Sequence, residues 1–340
     1  MEKTENNEIK FEELIHSAFN SAKRDGSLKE AFLEHAQTYG IEGIDQLFPE
    51  AKLASSPEFI NNNIEWVEKV LSGTTKLPFA KVRSLFADIT AESIRAKGYT
   101  KGGLKKETVF ELLKRTTSPT TIYKKEKLDR DDVVDITDLD VVAWVKSVMK
   151  IKLNEEIARA ILIGDGRSNV ESDKINEECI RPIVSDSELF SVKVELGDIK
   201  AVEDWVIKLI DGIIVNRKQY KGSGNPVLYT TEDIVSAMLI VRDGLGARMY
   251  KSVEELKTAL RVSDIVTVGP LEGFMLDSAE VLAIMVNMSD YSVGTNKGGQ
   301  VSLFDDFDID YNQQKYLIET RCSGALTKPK SALVFTATGA

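Results

Sequence analysis

The chain has 340 residues and a formal net charge of −10, a length that suits one elaborate domain or two ordinary ones. Hydrophobic residues at 42% and charged residues at 29% match a soluble globular protein and exclude wholesale disorder. The longest apolar run, Val281–Val286, cannot span a bilayer, and the acidic start Met1–Glu8 fits neither a signal nor a transit peptide, so a cytosolic protein without a membrane partner is expected.

From Ile9 to Ala22 the apolar residues Phe11, Leu14, Ile15, Ala18 and Phe19 recur at helical spacing and predict an amphipathic helix. Ser27 with Glu30 reads as a capping box that opens a second helix, Leu28 to Thr38. His16 and His35 fall on these helices and read as exposed side chains. Everything after Gln37 lacks an imidazole, which excludes Ser/His/Asp and Cys/His catalysis and His-based metal sites there. Two short amphipathic helices bury no core alone, so they must lie on something else.

Residues 40–80 read as an irregular arm broken by Pro49, Pro57 and Pro78, with one helix near Ile64–Leu71. Lys81 to Lys97 begins strand-like, with Val82, Leu85, Phe86 and Ile89. Lys97 to Asp140 is the most charged stretch: its lysines and arginines come first and its aspartates crowd the end. Within it, Thr116–Tyr123 has strand character, with Pro119 confining it to an edge or a bend. The stretch has too few apolar residues for a core and reads as a long two-stranded excursion. Such a ribbon is marginal alone and persists only on another surface, of its own chain or of a neighbour. Its interleaved carboxylates argue against a nucleic-acid face, which needs net positive charge.

Thr137 and Asp140 start a long helix, Val141 to Ile163, that ends at Gly164. A second runs from Ile199 to Tyr220 and opens on Asp198. Val227–Thr230 predicts a strand, and helices follow at Glu232–Arg242 and Val253–Leu260. Strands are expected at Ile265–Val268, Val281–Val286, Val301–Ile309, Tyr316–Cys322 and Ala332–Thr336, and no internal repeat is visible.

Motifs with chemistry fail one by one. Gly164-Asp-Gly166 and Gly244-Leu-Gly246 suggest phosphate loops, but positions 169 and 249 are Asn and Met, so neither completes the dinucleotide pattern. Gly164 reads better as a helix C-cap. Asp305, Asp306, Asp308 and Asp310 could bind a divalent cation; strand alternation instead puts Asp306, Asp308 and Asp310 on one solvated face. Cys179 and Cys322 have no paired spacing and read as separate thiols.

The order of parts nevertheless resembles something specific. The run from Leu153 to Gly166, LNEEIARAILIGDG, is similar to the spine helix of the Hong Kong 97-type major capsid proteins of tailed bacteriophages. The stretch from Tyr291–Thr295 through Gln300–Phe304 also resembles that family, Glu319–Phe335 is similar to its closing strands, and Leu47–Glu50 with Leu77–Arg83 resemble its arm and the entry into its core. The likeness runs from about residue 45 to the end. It implies an α+β capsid fold: N-terminal helices and N-arm at 1–80, and an extended E-loop at 97–140 lying over a neighbouring subunit. Residues 81–96, 141–224 and 291–340 would form the peripheral domain, and 225–290 the axial domain.

The implied function is a major capsid protein, not an enzyme, with no cofactor and no metal site. It would assemble with itself into hexamers and pentamers of an icosahedral shell, in the host bacterial cytoplasm, and reside in the virion. Further implied partners are scaffolding and portal proteins and packaged double-stranded DNA held without sequence-specific contacts. Inter-subunit contacts are expected at Lys114, Arg115, Lys124, Lys125, Lys127, Arg130, Asp131, Asp132 and Asp135, with the basic run pairing to the acidic one across subunits. The competing readings are an encapsulin-like compartment and an α/β enzyme built on Asp305–Asp310.

Overall fold

The computed structural model describes residues 64–78, 81–86, 113–129, 141–167, 171, 173–198, 204–295 and 301–338. The two expected N-terminal helices, with His16 and His35, lie outside them. In chain order the elements are α1 (Glu65–Gly73), β1 (Thr75–Leu77), β2 (Arg83–Phe86), β3 (Leu113–Thr116), β4 (Thr120–Asp129) and α2 (Val141–Leu162). There follow β5 (Ser191–Glu195), α3 (Trp205–Asn216), β6 (Val227–Thr230), α4 (Glu232–Ile240), α5 (Val253–Leu260) and β7 (Asp264–Thr267). The last are β8 (Met275–Leu276), β9 (Ala279–Val286), β10 (Tyr291–Thr295), β11 (Ser302–Asp308), β12 (Gln313–Leu326) and β13 (Ala332–Ala337). No helix among the described residues is long and apolar enough to cross a membrane.

The chain divides into two compact units. The larger takes Asn62–Tyr123, Leu153–Ser302 and Glu319–Ala340. Its centre is a sheet in the order β5-β13-β9-β6-β7, with β8 on β9. β13 runs parallel to β5 and antiparallel to β9, while β6 runs parallel to β7 and antiparallel to β9. Every residue of β13, and β9 from Val281 onward, is buried. Such continuous apolar runs mark strands covered on both faces. Leu209 and Ile213 of α3, Met238 of α4 and Leu256 of α5 share one core with Leu282, Met285 and Phe335.

Local chemistry sets the helix ends. Thr231 Oγ1 accepts from the Ile234 amide at 3.4 Å to cap α4, and Ser252 Oγ accepts from Glu255 at 3.3 Å to cap α5. α5 closes on Arg261 in the left-handed region, its amide bonded to the Lys257 and Thr258 carbonyls. The helix expected over 199–220 is shorter: α3 covers 205–216 and tightens into a 3-10 turn at Arg217–Gln219. Because α3 packs with α4, α5, β5 and β13, the compact block draws on residues either side of 225–290.

A second sheet in the larger unit pairs β1 parallel with β10 and β10 antiparallel with Cys322–Leu326 of β12. Here Tyr291 is wholly buried, and its hydroxyl donates to the Arg181 carbonyl at 2.9 Å. Gly324 makes room for it: a Cβ there would stand 2.6 Å from the Tyr291 oxygen.

In the smaller unit the described residues are 124–129, 141–152 and 303–318. β11 and the start of β12 form a hairpin whose turn carries Asn312 at φ 52°. β11 and β4 each pair with β12 and with no other described strand. Tyr316 and Ile318 of β12 are buried, and Lys146 of α2 stands 5.4 Å from the Tyr316 ring centre.

Candidate assembly surfaces

The two-stranded ribbon lies earlier in the chain than the charge pattern suggests. β2 pairs antiparallel with β3, from Arg83 opposite Thr116 to Phe86 opposite Leu113. Residues after Pro119 turn away instead into β4, which joins β12. The expected pairing within 97–140 is therefore corrected: β3 finds its partner before residue 97, and Pro119 marks the bend.

The ribbon's root is clamped to the larger unit. The Thr117 amide donates to the Val82 carbonyl at 3.0 Å, and Thr117 Oγ1 accepts from the Val82 amide at 3.2 Å while donating to Ser323 Oγ at 3.0 Å. Beside it Arg115 turns inward, with one guanidinium nitrogen 2.8 Å from both Asp186 oxygens and its carbon 3.8 Å from the Phe190 ring centre. Burial pulls the Arg115 guanidinium below its ordinary value, outweighing the opposing effect of Asp186. Its Nε and Nη1 have no hydrogen-bond partner among the described residues. This pair holds register inside one chain.

The other expected contact residues separate into three groups. Lys114, Lys125 and Lys127 are exposed. Lys124 is half-buried and bonds Glu126 of its own strand at 2.7 Å. Arg130, Asp131, Asp132 and Asp135 lie outside the described residues. Asp186, the partner of Arg115, sits 71 positions away and carried no sequence signal.

Two further surfaces escaped the sequence reading. On β11 and its turn, Leu303 and Phe304 are exposed, and Ile309 and Tyr311 are 84% and 72% exposed. The second is the loop after α4. Asp243 Oδ1 accepts from the Leu245 and Ala247 amides, each at 2.9 Å, and Arg242 donates to the Gly246 carbonyl at 2.8 Å. Gly246, at φ 84°, supplies the left-handed turn. This ordered loop holds Leu245 96% exposed.

No protein-family profile and no curated protein sequence matches this chain. Solved structures do. The chain superposes on the capsid of a native GTA particle with a TM-score of 0.60 at 11% identity, covering 88% of this chain and 100% of that one. The capsid of an empty GTA particle gives 0.58 at 11%, covering 87% and 97%, and a chain from Mycobacterium phage Bobi gives 0.57 at 12%, covering 87% and 98%. The chain has a phage major-capsid-protein fold.

Within this capsid fold the enzyme-like motifs resolve into structure. Gly164, at φ 89°, ends α2 by donating to the Arg159 carbonyl at 3.1 Å. Asp165, buried, accepts from the Arg167 and Ile175 amides at 3.0 and 2.7 Å, so its own carboxylate uses the amides a phosphate would need. In the carboxylate run, β11 ends at Asp308, which Lys315 pairs, and Asp310 lies past the strand with its amide donating to Asp308 Oδ1. The expected single face of Asp306, Asp308 and Asp310 is thus corrected. Among the described residues no group of three or more His, Cys, Asp or Glu could hold a metal. Both cysteines are free thiols. Burial pushes Cys322 up to about 12 and also raises Cys179, which disfavours a nucleophilic thiolate.

Proposed function

We propose that this chain is a major capsid protein that assembles into hexamers and pentamers of an icosahedral shell around a phage genome. The observation that carries the reading is the fold match across 97–100% of three capsid-fold chains. The Hong Kong 97-type division into N-arm, E-loop, peripheral and axial parts accompanies it. In that division the β2–β3 ribbon is the base of the E-loop, which shifts the E-loop's start back from 97 to about Arg83. The loop bearing Leu245 is the axial tip, where copies would converge on a local symmetry axis. Scaffolding and portal proteins, DNA held without base readout, and assembly in the host cytoplasm belong to the same proposal.

The physical support is that parts of this chain are incomplete alone. A two-stranded ribbon is marginal in water, and exposed apolar side chains on an edge strand call for cover. A head-to-tail contact between identical copies supplies it and closes into rings or shells. Negative-stain electron microscopy of the full chain, expressed alone and with a scaffolding protein, tests the reading. Closed particles or rings are expected; a small oligomer that never polymerises in either condition overturns it. The compartment and enzyme readings have no observation of their own in their favour.

A further inference from the structure

A cationic surface forms where the end of α3 meets the turn before β13. Backbone bonds join the two stretches: the Lys221 amide donates to the Lys330 carbonyl at 2.7 Å, and the Lys330 amide to the Leu189 carbonyl at 2.8 Å. Lys328 Nζ donates to Ser223 Oγ at 3.1 Å. Arg217 stands 4.5 Å from the Tyr220 ring centre, and the Tyr220 hydroxyl donates to the Ser223 carbonyl at 3.1 Å. Arg261, the exposed C-cap of α5, is near enough to repel Arg217. Burial pulls the Arg217 guanidinium below its ordinary value; Tyr220 opposes this and Arg261 adds to it.

Arg217, Lys218, Lys221, Arg261, Lys328 and Lys330 thus gather in one region of a chain whose net charge is −10. Among the described residues none of the six forms an ion pair, although lysines elsewhere do. The carboxylates close by are already used. Asp290 is buried and accepts from the Ser223 amide and hydroxyl, each at 2.6 Å, and Asp264 is taken by Lys69 and Lys257. Exposed Glu188, next to Leu189, offsets one of the six charges at most. Helix C-termini favour cations, which accounts in part for Arg217, Lys218 and Arg261. Lys221, Lys328 and Lys330 lie outside any helix and have no such account.

We propose that this surface receives the phosphate backbone of duplex DNA; its assignment to the packaged genome rests on the capsid reading above. Clustered cations without carboxylates repel one another, and a polyanion relieves that repulsion while releasing its own counterions. The charged stretch at 97–140 fails this requirement because its carboxylates are interleaved; here they are absent or spent. Within 217–225 and 327–331 no large apolar side chain is exposed to anchor a protein partner. The aromatic ring among the cations, Tyr220, is buried and offers an unpaired base nothing to stack on, which favours duplex over single strand. Lys221, Lys328 and Lys330 sit on turns, with no helix to enter a groove, so the contact is with phosphate and indifferent to sequence.

Fluorescence anisotropy of the unassembled full chain with a short mixed-sequence duplex tests this. K221E/K328E/K330E should weaken binding about tenfold or more at low salt, and make the plot of log affinity against log salt shallower by about 2.5. K114E/K125E/K127E makes the same change of net charge on other exposed lysines and should weaken binding less than about threefold. A duplex of different sequence should bind within about twofold of the first, and the single strand no more tightly than the duplex. A footprint needs no variant: the duplex should slow acetylation of Lys218, Lys221, Lys328 and Lys330 on the unaltered chain and leave that of Lys114 unchanged. No binding, equal loss in both variants, tighter binding of the single strand, or uniform protection overturns the surface. Polyglutamate that binds more tightly than the duplex, with the same dependence on these lysines, overturns DNA as the occupant in favour of an acidic protein. Electron microscopy judges the capsid reading separately. Particles without lysine-dependent DNA binding overturn this surface alone; a chain that binds DNA through these lysines and never assembles overturns only the shell.

Discussion

β9 and β11 are strands of eight and seven residues, both with apolar and acidic side chains, and their environments are opposite. β9 has partners on both sides, antiparallel to β13 and to β6, and from Val281 to Val286 no residue is exposed. β11 has one partner among the described strands, and six of its seven residues are exposed. The first strand is completed by its own chain through burial of Leu282, Ile284 and Met285 against helices and neighbouring strands. Among the described residues the second is held by β12 alone. One sequence therefore combines a block that folds on internal contacts with an arm, β11 and its turn, whose apolar side chains stand exposed. Changes in the two regions should separate folding from assembly.

The largest effect is expected in the block. Phe335 is fully buried on β13, between β5 and β9, in the core shared by α3, α4 and α5. Phe335→Ala removes that volume and should cost about 4–5 kcal/mol, measured by urea unfolding followed through tryptophan fluorescence. A cost under about 1 kcal/mol would show that this core is not what holds the block together.

Next comes the buried ion pair at the ribbon root. Asp186→Asn keeps the shape but leaves Arg115 as an unbalanced buried cation, and should cost about 3 kcal/mol. Replacing both partners, Arg115→Met with Asp186→Leu, should cost clearly less than either single change, because no uncompensated charge remains. Additive costs in that cycle would mean the two side chains act independently despite their 2.8 Å contact.

These two predictions differ in how far the sequence foretold them. The core was legible: Val227–Thr230 and Val253–Leu260 appear at the expected boundaries, and the caps Thr231 and Ser252 act within a few residues of them. Neither β5 nor β10 was among the expected strands, since Ser191–Glu195 and Tyr291–Thr295 are short and become strands only by pairing with β13 and β12. The ribbon was sensed through its charge, yet its partner strand Arg83–Phe86 lies before the charged stretch, and local composition cannot report a distant partner. Arg115 looked like a surface cation for the same reason. On β11, period-two reasoning presumes one dry face, and a strand with none defeats it.

A smaller effect belongs to Asp264, which accepts hydrogen bonds from Lys69 and Lys257, at 2.8 and 2.9 Å, and so ties α1 to the end of α5. Burial alone would push its carboxyl up, but the two lysine hydrogen bonds together outweigh that and hold it below the ordinary carboxylate range. A lowered folded value stabilises the protein above the unfolded value near ~3.9, and that contribution fades as the pH falls through the folded value. Asp264→Asn should therefore cost under about 1 kcal/mol at neutral pH and nothing in strong acid. Paired urea titrations at pH 7 and below pH 3 check this; an equal cost at both would assign it to packing.

The smallest folding effect is expected on the arm, and it bears most on the comparison. Ile309 and Tyr311 are 84% and 72% exposed in the single chain, so Ile309→Ser with Tyr311→Ser removes little buried area. Unfolding of the unassembled chain should stay within about 0.5 kcal/mol of the unaltered protein. If these side chains are covered by a second copy, the same changes should reduce the assembled fraction, because the apolar area they lose is area that association would bury. Sedimentation velocity beside urea unfolding reads both quantities on one preparation. Loss of stability without loss of assembly would reverse the division between β9 and β11, placing the arm's apolar residues in the fold of the single chain.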